Sequence, residues 1–211
     1  MEKSYRYLGY YLLLFIPLIF AAFYKSYLVK FPHYEINFDN TIHIHAFLAS
    51  LWVLMLIVQP FLIVNKELAW HRLVGKLSYV VFPLLILSFI PGIAKLINSG
   101  ETIFIFFPIS DCLYMIVLYS LAIFYKKKSP KHMRFMIASS LALLGPTIGR
   151  IFPRYFDMSE VDAQTVQYAI TFSILFALIL MDRKNKRDYN PYSIAAGLVV
   201  IHAAVFYFLF L

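Results

Sequence analysis

A chain of 211 residues that is 62% hydrophobic and only 14% charged departs far from a soluble domain, where about 45–50% apolar and about 25% charged is usual. With a mean hydropathy of +0.74, the surplus cannot be hidden in the core of a globule of this size, and the sequence reads as an integral membrane protein. The net charge of +8 is explained by membrane topology and by attraction to anionic lipid, so it gives no reason to invoke nucleic acid.

A membrane-crossing helix needs about 20 mostly apolar residues. In chain order the apolar runs are 6–24, 42–64, 77–97, 102–125, 135–153, 164–182 and 191–211. Backbone groups in lipid must be paired within their own segment, and runs this long exclude the short alternating strands of a barrel. The expectation is therefore all-α: one polytopic domain, residues 1–211, of seven transmembrane helices. Lys3 and Arg6 before the first run suggest a signal peptide, but Phe23, Tyr24 and Lys25 follow it instead of a small-residue cleavage site, so a first spanning helix is expected. Pro17, Pro60, Pro83, Pro91, Pro108 and Pro146 lie inside these runs, where neighbouring helices can accommodate them.

Orientation follows the lysines and arginines of short loops. One side collects Lys3, Arg6, Lys66, Arg72, Lys76, Lys126, Lys127, Lys128, Lys131, Arg134, Arg183, Lys184, Lys186 and Arg187, which is 14 of the 19 basic residues. That places the N-terminus in the cytoplasm and the C-terminus outside, in the inner (plasma) membrane of a cell, crossed several times. The single cysteine, Cys112, excludes an internal disulfide.

The second run opens with TIHIHAFLAS, residues 41–50. His45, Ala49, Trp52, Leu56 and Gln59 recur at helical spacing and share a face. His43 points elsewhere, about 200° away on a regular helix. A metal held by His43 and His45 therefore requires the helix to start between them or to be distorted, with His33, Glu35 and Asp39 as further ligands nearby. The plainer reading is a cap or a ring at headgroup level.

Counting along the helices places other polar groups at related depth. Asp111 falls nine residues into the fourth run, roughly 13 Å deep at 1.5 Å per residue. His202 lies at a similar depth in the seventh, and Arg150 sits near the outer end of the fifth, sharing a face with Ser139 and Pro146. An ionisable group inside a span costs roughly 3 kcal/mol on insertion scales and usually faces the interior with a partner. His45, Asp111, Arg150 and His202 thus form a candidate polar site in the outer half, with Asp111 and Arg150 expected to offset each other. A second candidate lies on the cytoplasmic side, where His71 and Arg72 in AWHRLVGK and His132 in SPKHMRFMIASS precede spanning runs.

His45, then HRLVGK with His71, Arg72 and Gly75, then KHMRFMIASSLALLGPTIGR with His132, Met136 and Arg150 resemble the DUF2306-type predicted membrane proteins of bacteria, over roughly residues 40–155. The resemblance implies a multi-helix membrane fold with histidines near the membrane surfaces, and no established activity.

The leading functional expectation is a histidine-based cofactor-binding protein, holding haem b or a transition metal for redox or metal handling. Haem takes axial ligands on opposite faces, so the pairs would be His45 with His202, whose depths differ by about 5 Å, or His71 with His132. The alternatives are a proton-coupled transporter, in which Asp111, Arg150 and a histidine relay a proton or bind a small ligand, and a non-enzymatic accessory or assembly subunit with a partner in a membrane complex. Whether the chain is an enzyme is left open. Ser50, Ser110, Ser139 and Ser140 lack a G-x-S-x-G setting, and phosphate loops, CxxC pairs and paired-carboxylate signatures are absent. The last run holds no lysine to carry a retinal Schiff base.

Overall fold

A computed structural model describes residues 2–34 and 39–211 of the chain, and everything ordered in them is helical. Among these residues six segments are long and apolar enough to cross a membrane: Asn40–Val64, Leu68–Asn98, Thr102–Phe124, Ser129–Phe156, Glu160–Lys184 and Asn190–Phe210. Leu8–Tyr24 is a shorter apolar helix. This is the make-up of a multi-pass membrane protein, and the apolar residues left exposed, such as Phe47, Val80, Phe124 and Phe176, suit contact with lipid chains.

Proline divides three of the segments. The first consists of α1 (Leu8–Leu13) and α2 (Phe15–Tyr24), because Pro17 has no N–H to offer the carbonyl four residues back. The third is α4 (Leu68–Leu87) followed by α5 (Ile90–Asn98), with Pro91 in the first turn of α5. The fifth is α7 (Ser129–Ser140), a 3-10 turn at Leu141–Leu143 and α8 (Leu144–Phe156), broken just before Pro146. Pro60 and Pro83 sit inside unbroken α3 (Asn40–Val64) and α4. The remaining spans are α6 (Phe106–Phe124), α9 (Glu160–Lys184) and α10 (Asn190–Phe210).

Two of the helices begin earlier than hydropathy suggests. α4 starts at Leu68 rather than 77 and α7 at Ser129 rather than 135. The basic stretches HRLVGK and PKHMR are thus helical first turns, not loops, because a helix needs only backbone pairing there and keeps its polar residues at the span's edge.

The chain forms two compact units, Met1–Thr102 and Ile103–Leu211. In the first, α3 and α4 pair as a hairpin, with Trp52 against Phe82 at a ring separation of 5.0 Å. Helix α1 lies on α3 where Gly9 meets Phe61, so closely that a Cβ at Gly9 would stand 2.8 Å from the ring. In the second, α6 packs on α7, α8 on α9, and α10 on both α9 and α7. Its core includes Leu118, Phe135, Ala138, Leu175, Tyr192, Ala195 and Phe206. Helix α9 carries Glu160 and Asp162 in its first turn and Arg183 and Lys184 in its last, which complements the helix dipole.

Candidate functional site

The second unit holds two clusters of ionisable groups, one at each end. At the end where α6 begins and α10 finishes, His202 of α10 is bonded through both ring nitrogens. Its Nδ1 lies 2.6 Å from the Tyr168 hydroxyl on α9, and its Nε2 lies 2.8 Å from Ser110 Oγ on α6. Ser110 gives its only hydrogen to the Phe106 carbonyl at 2.5 Å. A hydroxyl has one proton to donate, so with that proton on the Phe106 carbonyl Ser110 accepts from His202 Nε2–H, while the Tyr168 hydroxyl pairs with Nδ1. The ring is held through both nitrogens, and it packs edge-on against Phe106 with centroids 4.8 Å apart.

Asp111, the neighbour of Ser110, places Oδ1 3.8 Å from His202 Nε2, with 27% of its side chain exposed. That distance is too long for a hydrogen bond. Among the described residues no hydrogen bond ends on the Asp111 carboxylate. Its other flank is Gly145 of α8, where an added Cβ would stand 3.3 Å from Oδ2. Glycine here leaves the acid its room. Arg150, on the same helix as Gly145, donates Nη1 to the Pro146 carbonyl at 2.8 Å. It acts on Asp111 through space, without a hydrogen bond between the two. The expected mutual pair is thus a looser arrangement, in which the carboxylate has His202 nearer to it.

Tyr168 and its neighbours were not among the residues that the sequence singles out. They belong to a buried polar stripe on α9: Gln164 donates Nε2–H to Gln167 Oε1 at 2.8 Å, and Gln167 donates to Thr171 Oγ1 at 3.0 Å. The spacing 164, 167, 168, 171 is a helical face, and that periodicity was the available signal.

At the opposite end, Arg134 of α7 and Asp182 of α9 form a fork: Nε donates to Oδ2 at 2.6 Å and Nη2 to Oδ1 at 2.9 Å. Their side chains are 1% and 0% exposed, and Nη1 of Arg134 donates to the Pro130 carbonyl at 3.0 Å. Arg134 is therefore a buried partner, not one of the solvated loop cations that set topology. Beside this fork Lys131 meets Asp188 at 3.0 Å. Burial raises the Asp188 pKa, but the Lys131 contact and the Asn190 backbone N–H outweigh it and hold the carboxyl below its ordinary value.

Of the second set of candidates, His132 donates Nδ1–H to the Ala122 carbonyl at 2.8 Å, tying α7 to α6. His71 and Arg72 stand on α4 of the first unit, where the His71 carbonyl accepts from Gln59 Nε2 at 3.2 Å and Arg72 Nε donates to the Leu68 carbonyl at 3.2 Å.

The two histidines of TIHIHAFLAS take separate partners within the first unit. His43 Nδ1 lies 2.6 Å from the Tyr27 hydroxyl, and its ring packs against Tyr34 at 4.5 Å. His45 Nδ1 lies 2.8 Å from Ser88 Oγ at the break between α4 and α5, and its ring packs against Phe89 at 4.6 Å. Ser88 donates to the Leu85 carbonyl at 2.6 Å, so His45 is the donor to Ser88. Because α3 starts at Asn40, with Asp39 accepting from the Thr41 N–H at 2.9 Å as its cap, both rings ride on one regular helix and diverge. The condition for a shared metal is not met. No three His, Cys, Asp or Glu side chains among the described residues converge on a metal position, and Glu35 lies outside those residues.

Compared with models of protein families, with curated proteins and with solved structures, the chain matches none of them.

Proposed function

We propose that this protein is a proton-coupled carrier of the inner (plasma) membrane, in which Asp111 takes up and releases the proton and Tyr168, His202 and Ser110 hold the site in shape. The observation that carries this reading is an acid inside a spanning helix that accepts no hydrogen bond among the described residues, set 3.8 Å from a histidine and against a glycine. Ionisable groups inside spans are expensive and mark ion paths and proton relays. A carboxylate kept for structure would carry its full set of hydrogen bonds, as a buried charge otherwise costs several kcal/mol.

The outer haem pairing of His45 with His202 would need a free imidazole nitrogen on His202, and both are engaged by Tyr168 and Ser110. That supports a proton path over a cofactor at this end. The reading includes the cytoplasmic N-terminus and external C-terminus, which rest on the basic-residue imbalance, and the likeness to the DUF2306-type proteins, which rests on the motifs around His45, His71 and His132.

The test is proton movement in vesicles containing purified protein and an enclosed pH-sensitive dye, driven by a potassium-diffusion potential with a mixture of small inorganic ions, amino acids and sugars supplied as co-substrates. Wild-type protein should acidify or alkalinise the lumen according to the sign of the potential, and Asp111→Asn should abolish that movement. Equal rates from the two proteins, or no movement from wild type, would overturn the assignment.

A further inference from the structure

Phe172, Phe176 and Ile179 of α9 recur at spacings of four and three, so they share one helical face. With Ser173, Leu175 and, from α10, Ala196 they line a groove of about 370 Å³ between the two helices. The groove is apolar apart from the Ser173 hydroxyl, which donates to the Ala169 carbonyl of its own helix at 2.7 Å. Leu175, 0% exposed, closes it from below, and Phe176, 62% exposed, stands at its rim. The same face runs on to Arg183, four residues past Ile179 and about 6 Å further along the helix. Arg183, Lys184 and Lys186 are exposed at the α9–α10 connection. The acids of that connection are engaged on α7, Asp182 by Arg134 and Asp188 by Lys131. No carboxylate among the described residues pairs with the three exposed cations.

We infer that this is a binding site for an anionic phospholipid, with an acyl chain in the α9–α10 groove and the phosphate at Arg183, Lys184 and Lys186. The groove by itself suits any chain of the bilayer; the cations at its end select the charge of the headgroup. The segment Glu160–Lys184 is a membrane span, and the end of a span lies at the level of the polar headgroups. The anions that meet these cations there are therefore lipid phosphates. Clusters of lysine and arginine beside a span attract anionic lipid. A long basic side chain lays its apolar stem along the span and keeps its charge at the interface. Zwitterionic lipid offers the same chain, but its own ammonium offsets its phosphate, so it binds more weakly.

Native mass spectrometry of the full chain, released from detergent micelles carrying equimolar phosphatidylglycerol and phosphatidylcholine, counts the lipid that each protein retains. Wild type should keep phosphatidylglycerol over phosphatidylcholine by about fivefold or more, the worth of a single cation at a charged surface. Arg183→Gln, Lys184→Gln and Lys186→Gln together should bring that ratio close to one. The charge-matched control, Lys126→Gln with Lys127→Gln and Lys128→Gln, should leave it unchanged. Ala196→Phe fills the groove and should cut retention of both lipids. Should that variant melt well below wild type, Ser173→Phe, at an exposed position on the same groove, decides instead. Equal retention of the two lipids by wild type overturns the site. So does a preference that survives the Arg183, Lys184 and Lys186 changes, or one that falls as far in the control, which marks diffuse surface attraction. A filled groove that retains both lipids as wild type does overturns it too.

Discussion

The two ends of the second unit solve the same problem differently. Both put an acid next to a base on helices that cross apolar surroundings, where an unpaired charge is costly. At the Arg134–Asp182 end each carboxylate oxygen has a donor within 2.9 Å and the guanidinium has a third acceptor in the Pro130 carbonyl. Both carboxylate oxygens and all three guanidinium nitrogens are engaged, and exposure is essentially nil. At the Asp111 end the histidine is saturated and the acid is not. On the proposed reading, the structural charges of this molecule are those whose bonds are complete, and the working charge is marked by what it lacks.

Four tests sharpen or break that contrast. Asp182→Ala should cost about 3–5 kcal/mol, because it strands a fully buried guanidinium; a thermal melt in detergent measures it, and removing Arg134 as well, as Arg134→Met, should recover much of the loss. Tyr168→Phe takes the hydroxyl partner from His202 Nδ1 and should cost about 1–3 kcal/mol by leaving that nitrogen unsatisfied, while slowing driven proton movement. Gly145→Ala brings a Cβ to 3.3 Å from Asp111 Oδ2, so the carboxylate must give by a few tenths of an ångström. Transport should fall while stability moves by under about 1 kcal/mol, as for a volume change at a half-open site.

The fourth concerns pH. The Asp188 pKa is held below its ordinary value, so its contribution is fully present above the unfolded value, near 4, and is lost as pH falls through the folded one. With 35% of the side chain exposed, that contribution should stay below about 1 kcal/mol. Comparing melts of wild type and Asp188→Asn across the acid range measures it, and a difference that persists below both values would contradict the assignment.

Much of this was readable from the sequence, and what was missed has physical causes. Hydropathy finds the spans because lipid demands long apolar helices, and counting at 1.5 Å per residue brings Asp111 and His202 to one level. Hydropathy stops at the first charge, so it starts α4 and α7 several residues late. Topology counting treats every cation as solvated, which conceals that Arg134 is buried. Its partner lies 48 positions away, and no local pattern announces a pairing that only tertiary packing creates. Asp182 nonetheless falls on the α9 stripe with Thr171 and Leu175, so a charge in phase with a buried face was the clue. Tyr168 was passed over because a tyrosine in an aromatic-rich chain carries no signal until the glutamines in phase with it are read as one stripe.

The central claim is that Asp111 is the working charge and Asp182 a structural one. It is tested most directly by measuring thermal stability and driven proton movement together for Asp111→Asn and Asp182→Asn. The account predicts that Asp111→Asn melts at or above the wild-type temperature, since it removes a charge that accepts no hydrogen bond among the described residues, and moves no protons. It predicts that Asp182→Asn melts well below wild type. An Asp111→Asn protein that is destabilised as strongly as Asp182→Asn, and that still moves protons at the wild-type rate per folded molecule, would contradict it.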